Sequence, residues 1–494
     1  MNTSGAVAAR RGFRAMGRQV GRNGGRAAFA FTARALQQVS TLVITLLAAR
    51  FLEPAQYGVY SLGIVFIVLV QTMTYTGFYQ FILTSKADDG AVLSTCFWLI
   101  VGLVSLASLG LGLAAFPLQW MFQAEPLGMV LLLLALIQPL ASIGAWSSAA
   151  LLRRGAVMRN FTVMFGQNLV ALTGGTILLW FWHSIYALVA FRYLRVLTGA
   201  VLYALLGRDR PGLTFRRDLA RQATAFSGGL YGSRALGFLA RYAADLLLGL
   251  LHSPAAVGLY RFGNRVATGA SDVFNQPMSS FAATQFGAAA RQDRDLAMPL
   301  ARFSGTITML SGLTGAVIVV FAHDVIALFF QPSYIAALVV TYAMALRGAA
   351  SVGQMLVEPA FAALGRTGWV MLFDLVSTLI AIAAIFAASP FGLEMLAWTQ
   401  AAVVLAATGW AFWLLHWHGG IRIAGALRNF AGAAALSALY GLALSGLYTR
   451  GIAALPLPPA ETLALGLLGA GMLALAALAL AAQLRIFSLQ AFSG

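Results

Sequence analysis

What most constrains this chain is an alternation. Apolar stretches of about the length of a bilayer crossing are separated by short gaps, and every second gap is rich in arginine while the others are nearly free of it. A hydrocarbon core about 30 Å thick takes about 20 apolar residues per helical span. Such runs lie near 27–51, 57–83, 91–116, 127–151, 161–182 and 185–206, again near 222–251, 255–288, 303–322, 335–362, 368–388 and 393–415, and finally near 429–448 and 460–484. The pattern predicts an all-α integral membrane protein of about fourteen transmembrane helices. Composition agrees, since 60% of the 494 residues are hydrophobic and 10% charged, against about 25% charged in soluble domains. No length is left for a soluble domain. The expected organisation is a basic N-terminal segment at 1–26, a lobe at 27–206, a connector at 207–221, a second lobe at 222–415, and two additional helices within 416–494.

Positive residues stay cytoplasmic during insertion, so the gaps also give an orientation. With the N-terminus inside, the inside segments collect 22 basic residues, among them Arg153, Arg154 and Arg159, the connector's Arg208, Arg210, Arg216, Arg217 and Arg221, and Arg366, Arg422 and Arg428; the outside segments hold Arg450 alone. A missed helix would invert the alternation from that point on, and no inversion occurs. Both termini are therefore expected in the cytoplasm. The first 26 residues contain no acid and place Arg11, Arg14, Arg18 and Arg22 at helical spacing. They read either as a basic helix on the anionic inner leaflet or as a disordered tail. Arginine interrupts every stretch where a secretory signal would need its apolar core.

Several classes of function are excluded. The single cysteine, Cys96, has no partner for a disulfide or a cysteine-based metal cluster. The single lysine, Lys86, follows Ser85, so there is no Gly-Lys phosphate loop for ATP. The net charge of +17 is spread over the gaps as a topology signal, with no stripe for nucleic acid. His183, His252 and His323 fall in outside turns and His416 and His418 at an inside boundary, where the neighbouring Trp residues read as interfacial anchors. No metal site, organic cofactor or catalytic cluster is expected. Work against a gradient would have to come from an ion gradient, substrate supply or a partner, which favours a secondary carrier over a pump or an enzyme.

The chain repeats itself. At an offset of 200 residues, "RALQQVSTLVITLLAARFLEPAQYGVY" from Arg34 aligns with "RALGFLARYAADLLLGLLHSPAAVGLY" from Arg234, with nine of 27 positions identical. Pro54, Gly58 and Tyr60 match Pro254, Gly258 and Tyr260. The repeating unit is six helices, an even number, so both copies insert the same way up and form two lobes about an axis along the membrane normal. Each copy carries P-x-x-x-G-x-Y at its first outer turn, where Pro starts a helix and Gly permits close packing.

Nine arginines remain within the spans: Arg34, Arg50, Arg192, Arg195, Arg234, Arg241, Arg261, Arg265 and Arg347. A mid-span arginine costs at least about 3 kcal/mol on insertion scales and faces a wet cavity or a partner unless it snorkels from a helix end. Arg50 and Arg261 lie near the outer boundary and are expected to snorkel or pair there. Arg34 and Arg234 are equivalent positions of the repeat and are expected to face a lumen. Arg234, Arg241 and Asp245 share one helix face by their spacing, as do Arg261, Arg265 and Asp272. Two such stripes imply a polar passage, and arginine's planar fork suits phosphate. The embedded acids are Asp245, Asp272, Glu358 and Asp374. Asp245 either neutralises Arg241, four residues earlier, or joins Asp272 and Asp374 as a candidate for coupling to H+ or Na+. Asp374, with no basic residue nearby in sequence, is the better candidate.

The segments "VSTLVITLLAARFLEPAQYGVYSLGIVF" and "RYAADLLLGLLHSPAAVGLYRFGNRV", with the helix count, resemble the bacterial polysaccharide flippases of the multidrug/oligosaccharidyl-lipid/polysaccharide exporter superfamily. The resemblance implies movement of an undecaprenyl-diphosphate-linked oligosaccharide across the bacterial inner membrane by alternating access, with proton coupling and with membrane lipids and a polysaccharide polymerase or export complex as partners. The family's cationic lumen maps onto Arg34, Arg234, Arg241 and Arg265. Three rivals stand beside it. A drug exporter of the superfamily should have an acidic lumen, against nine arginines and four acids here. A peptidoglycan-precursor flippase shares fold, charge and carrier. A membrane polymerase or ligase needs a large outside loop, and the outside loops here run to about a dozen residues.

Overall fold

Lipid offers no partner to a backbone amide, so a span has to pair its amides within itself. In the computed structural model the described residues are 33, 36, 37, 39–207 and 210–488, without the side chains of 270–277 and 280, and their regular elements are all helices. The elements are α1 Val39–Phe51, α2 Pro54–Thr74, α3 Thr76–Thr84, α4 Asp89–Phe122, α5 Leu127–Leu136, α6 Gln138–Arg153, α7 Val157–Trp182, α8 Ile185–Leu206, α9 Arg217–Leu251, α10 Pro254–Arg291, α11 Ala297–Phe329, α12 Leu338–Ala350, α13 Val352–Ala363, α14 Thr367–Ala388, α15 Leu393–Trp417, α16 Ala424–Gly446 and α17 Pro459–Gln483. The basic segment 1–26 and Arg34 lie outside the described residues.

Each apolar run read from the sequence falls on helix, the first from Val39 onward. Among the described residues, ten helices, adjoining pieces taken together, are long and apolar enough to cross a membrane, and eleven are if the pair α5 and α6, bent by 42°, is one broken span. Pro139 gives the reason for that break, because it removes an amide donor and crowds the carbonyl four residues back. Length and apolarity thus return fewer spans than the fourteen expected. The shortfall lies in α1, of which only a short apolar part is described, and in α9 and α10, which have 35 and 38 residues but carry the arginine stripes.

The described chain divides into two compact units, and the division passes through α9 between Ala235 and Leu236. In the first unit, Phe78, Phe81, Ile82, Leu93, Cys96 and Trp146 form the core where α3, α4 and α6 meet. Arg153, at the end of α6, fixes the 85–88 loop: its guanidinium donates to Asp89 Oδ1 at 2.7 Å and to the carbonyls of Ile82, Ser85 and Ala87. The connector is pinned to α4, since Ser94 Oγ and Trp98 Nε1 both donate to the Gly212 carbonyl and Arg216 N donates to Thr95 Oγ1.

The second unit contains Ala49–Val65, Trp120–Glu125 and the chain from Leu236 on. Here the two copies of the outer turn meet. A Cβ placed on Gly58 would lie 1.7 Å from the Pro254 carbonyl oxygen, and one on Gly258 2.0 Å from that of Pro54. The approach is reciprocal, and only glycine permits it. The last two helices belong to this unit: α16 packs along α11, and α17 against both. Asn429 Nδ2 donates to the Ala301 carbonyl at 2.9 Å. Beyond α16, a π-helical turn at Leu447–Ile452 sets Tyr448 to donate to Asp324 Oδ2 at 2.5 Å.

Candidate functional site

Asp245 of the α9 stripe and Arg261 of the α10 stripe form the heart of a polar centre in the second unit. Asp245, with 1% of its side chain exposed, is bound by Arg261 Nε at 2.5 Å, while Arg261 keeps 25% exposure. The Arg261 guanidinium also lies over the Tyr242 ring, 5.0 Å from its centroid, adding a cation–π attraction. Asp245 is therefore neutralised by Arg261 across the outer turn and not by Arg241 on its own helix. Arg261, expected to snorkel or pair near the boundary, makes this partly buried pair. Next to it, Tyr260 donates from its hydroxyl to Gln400 Oε1 on α15 at 3.1 Å, and Arg347 of α12 acts electrostatically on the Tyr260 phenol.

The remaining expected site residues are placed as follows. Arg241 is exposed, and its side chain makes no hydrogen bond or ion pair among the described residues. Arg234, half-buried on α9, has a buried Nε with no hydrogen-bond partner. Arg265 is half-buried one turn beyond Arg261. Asp272 lies on α10, its side chain outside the described residues. Asp374 is exposed on α14, within electrostatic reach of Glu358 on α13, and makes no ion pair among the described residues.

Sequence reasoning assigned nothing to several groups that the fold brings together. In the first unit, Arg192 and Arg195 of α8 both act electrostatically on Tyr75, at the junction of α2 and α3. Beside that junction Gln71 Nε2 donates to Gln138 Oε1 at 2.8 Å, so the α2–α3 junction is tied to the α5–α6 break. Discontinuous helices free backbone groups for ligands, and two arginines stand by this pair of breaks. Arg192 and Arg195 are three residues apart and so share a helix face; that spacing was the available signal. Gln400 carried none, being a lone amide in an apolar run.

Seen as chemistry, the described polar groups are dominated by guanidinium donors, some with protons not taken up by protein acceptors, while the most buried acid is already paired. Such a set can bind anions. A family described as polysaccharide biosynthesis protein matches residues 47–339. The chain belongs to that family. The matched stretch takes in both outer-turn motifs and the α9 and α10 stripes, and ends before Glu358 and Asp374. None of the curated proteins matches the chain. Among solved structures, the lipid II flippase MurJ in an inward closed conformation superposes with a TM-score of 0.68 at 12% identity, over 91% of this chain and 97% of that one. An inward-facing multidrug resistance transporter of the MATE family, in the MOP superfamily, gives 0.62 at 12% identity, over 79% of this chain and 98% of that one. At such identities the likeness is one of fold: this member of the polysaccharide biosynthesis family is a multi-pass membrane protein with the fold of those transporters.

Proposed function

We propose that the chain is a flippase that moves an undecaprenyl-diphosphate-linked oligosaccharide across the bacterial inner membrane, by alternating access of two six-helix lobes (27–206 and 222–415), with both termini cytoplasmic. The observation that carries the reading is the charge of the α9 and α10 stripes. Asp245 is matched by Arg261, and the two stripes together carry four arginines, Arg234, Arg241, Arg261 and Arg265, against two acids, Asp245 and Asp272, an excess of guanidinium charge that suits an anion. A diphosphate is matched by several forked donors, whereas a cationic drug is repelled by them. Arg34, the repeat equivalent of Arg234, is assigned to the same role. Coupling to H+ or Na+ is assigned to Asp374, beside Glu358, with Asp272 as a second candidate; Asp245 is set aside because its charge is already matched.

The test is translocation of a lipid-linked oligosaccharide by the purified protein in proteoliposomes, comparing wild type with Arg234→Ala plus Arg241→Ala at matched insertion and folding. Loss of about one charge-assisted contact per site lowers substrate affinity by about tenfold each. Unchanged flipping in the double variant would remove these residues from the substrate path. Lipid II as a parallel substrate separates the second reading, a peptidoglycan-precursor flippase, which the likeness to MurJ favours; faster flipping of lipid II than of any oligosaccharide carrier would establish it. Transport of organic cations instead would overturn both.

A further inference from the structure

At one end of the second unit, two tight turns converge. Gly365, in the left-handed region at φ +68°, closes α13 and leads through Arg366 into α14; Gly420, at φ +69°, turns the chain after α15. Arg366 Nη1 donates to the His418 carbonyl across the gap. The His418 ring lies 3.8 Å, centroid to centroid, from Trp369 and 5.5 Å from Trp413. Between them is an open groove of about 690 Å³ lined by Arg366, Gly368, Trp369, Leu372, Trp417 and His418.

Three features say what the groove fits. The His418 carbonyl takes up only Nη1 of Arg366, so the Nε and Nη2 edge, the side-on fork that receives two oxygens of a phosphate, makes no hydrogen bond among the described residues. His418 Nδ1 is buried without a hydrogen-bond partner. From the groove, Leu372, Leu375 and Leu379 run down an exposed face of α14, which is the least buried of the ten apolar spans among the described residues. Tryptophan beside arginine at the end of a span marks the headgroup level of a bilayer.

We propose that this groove is a docking site for one anionic phospholipid of the surrounding membrane. Its phosphodiester sits on the Nε and Nη2 edge of Arg366, its headgroup lies against Trp369 and His418, and an acyl chain follows the Leu372, Leu375 and Leu379 stripe. One free guanidinium edge matches the single negative charge of a phosphodiester, whereas a diphosphate would leave charge unmatched. The site is independent of the translocation pathway proposed above.

Native mass spectrometry of the delipidated full chain, titrated with phosphatidylglycerol or phosphatidylcholine, tests this. Wild type should retain one phosphatidylglycerol about tenfold more tightly than phosphatidylcholine, and Arg366→Ala should abolish that preference. Arg366→Lys keeps a donor for the His418 carbonyl and thus the turn, but lacks the fork, and should lose most of the preference. Arg422→Ala, which removes a neighbouring surface cation outside the groove, should leave it intact. Equal retention of the two lipids by wild type would overturn the site, and so would a preference that survives in both Arg366 variants or falls as far in Arg422→Ala. Displacement of phosphatidylglycerol by undecaprenyl diphosphate at lower concentration than by phosphatidylglycerol itself would assign the groove to the transported lipid and overturn the proposal as well.

Discussion

The two copies of the repeat have the same outer turn and different interiors. Pro54, Gly58 and Tyr60 correspond to Pro254, Gly258 and Tyr260, and the glycines approach the opposite copy's proline carbonyl in the same way. Just inside the turn the copies part. Where the second has Asp245 and Arg261 as an ion pair, the first has Thr45 and Ser61, both buried; Thr45 returns its hydroxyl to the Thr41 carbonyl on its own helix at 2.8 Å. Backbone close approach is thus shared by the copies, while the ion pair behind the turn is found in the second alone. The duplicated frame serves packing in both copies, and at these two matched positions the second copy substitutes an ion pair for two hydroxyls.

The sharpest way to break this comparison is to remove one member of the pair. Asp245→Asn leaves Arg261 partly buried with no counter-charge, which costs about 3–5 kcal/mol. Thr45→Val and Ser61→Ala in the first copy give up at most hydroxyl bonds worth about 1 kcal/mol each. Thermal unfolding of the purified protein reads both. The double change Asp245→Leu with Arg261→Met should recover most of the stability. If it does not, or if the first-copy variants lose as much as Asp245→Asn, the asymmetry is not electrostatic.

The next difference lies in the loop between the second and third helices of each copy. In the first copy that loop is gripped by Arg153, only 9% exposed and shared among Asp89 and three carbonyls. Its removal orphans acceptors at the end of α3, and Arg153→Ala is expected to cost about 2–3 kcal/mol. Limited proteolysis within 85–88 should accelerate in parallel; resistance equal to wild type would show that the loop holds without its arginine.

The reciprocal glycines should behave alike. Gly58→Ala and Gly258→Ala each drive a methyl group into a backbone carbonyl that no rotamer change can move, at about 1–3 kcal/mol of overpacking. Similar losses of unfolding temperature in the two variants support the shared frame. A tolerated change at one position would mean that the two turns, though matched in sequence, are not equivalent in packing.

These residues also show how far the sequence can be read. The helices were legible because hydropathy sets them one at a time, and the outer turn because the repeat displayed it twice. The partner of Asp245 was not. Helical spacing offers Arg241 four residues earlier, but Asp245 and Arg261 stand eight residues either side of Ser253 and meet across the turn, a relation that only the packing of α9 against α10 creates. The same charges that make these helices functional candidates lower their apolarity, so the spans that matter most give the weakest membrane signal. Arg192 and Arg195 were visible as in-span charge, but their neighbour Tyr75 lies over a hundred residues away, at a helix junction that no local pattern announced.

The smallest effect belongs to the second copy's version of the inner loop. There Asp295 accepts from Ala297 N and pairs with Arg422, but the arginine is 82% exposed. The Ala297 amide, and then Arg422, hold the Asp295 carboxyl below the usual carboxylate range. A carboxylate depressed in the folded state adds stability above its unfolded pKa, about 3.9, and loses it as the pH falls through the folded value. Exposed pairs contribute little, so Asp295→Asn should lower the unfolding temperature only slightly at pH 7, and that difference should vanish on acidification below the carboxylate range. Raising the salt concentration at pH 7 should shrink the Arg422 contribution and leave the amide's in place. A difference that widens on acidification would reverse the sign of the linkage. A loss as large as that of Arg153→Ala would show that both copies grip this loop equally, and would leave the ion pair behind the outer turn as the asymmetry between them.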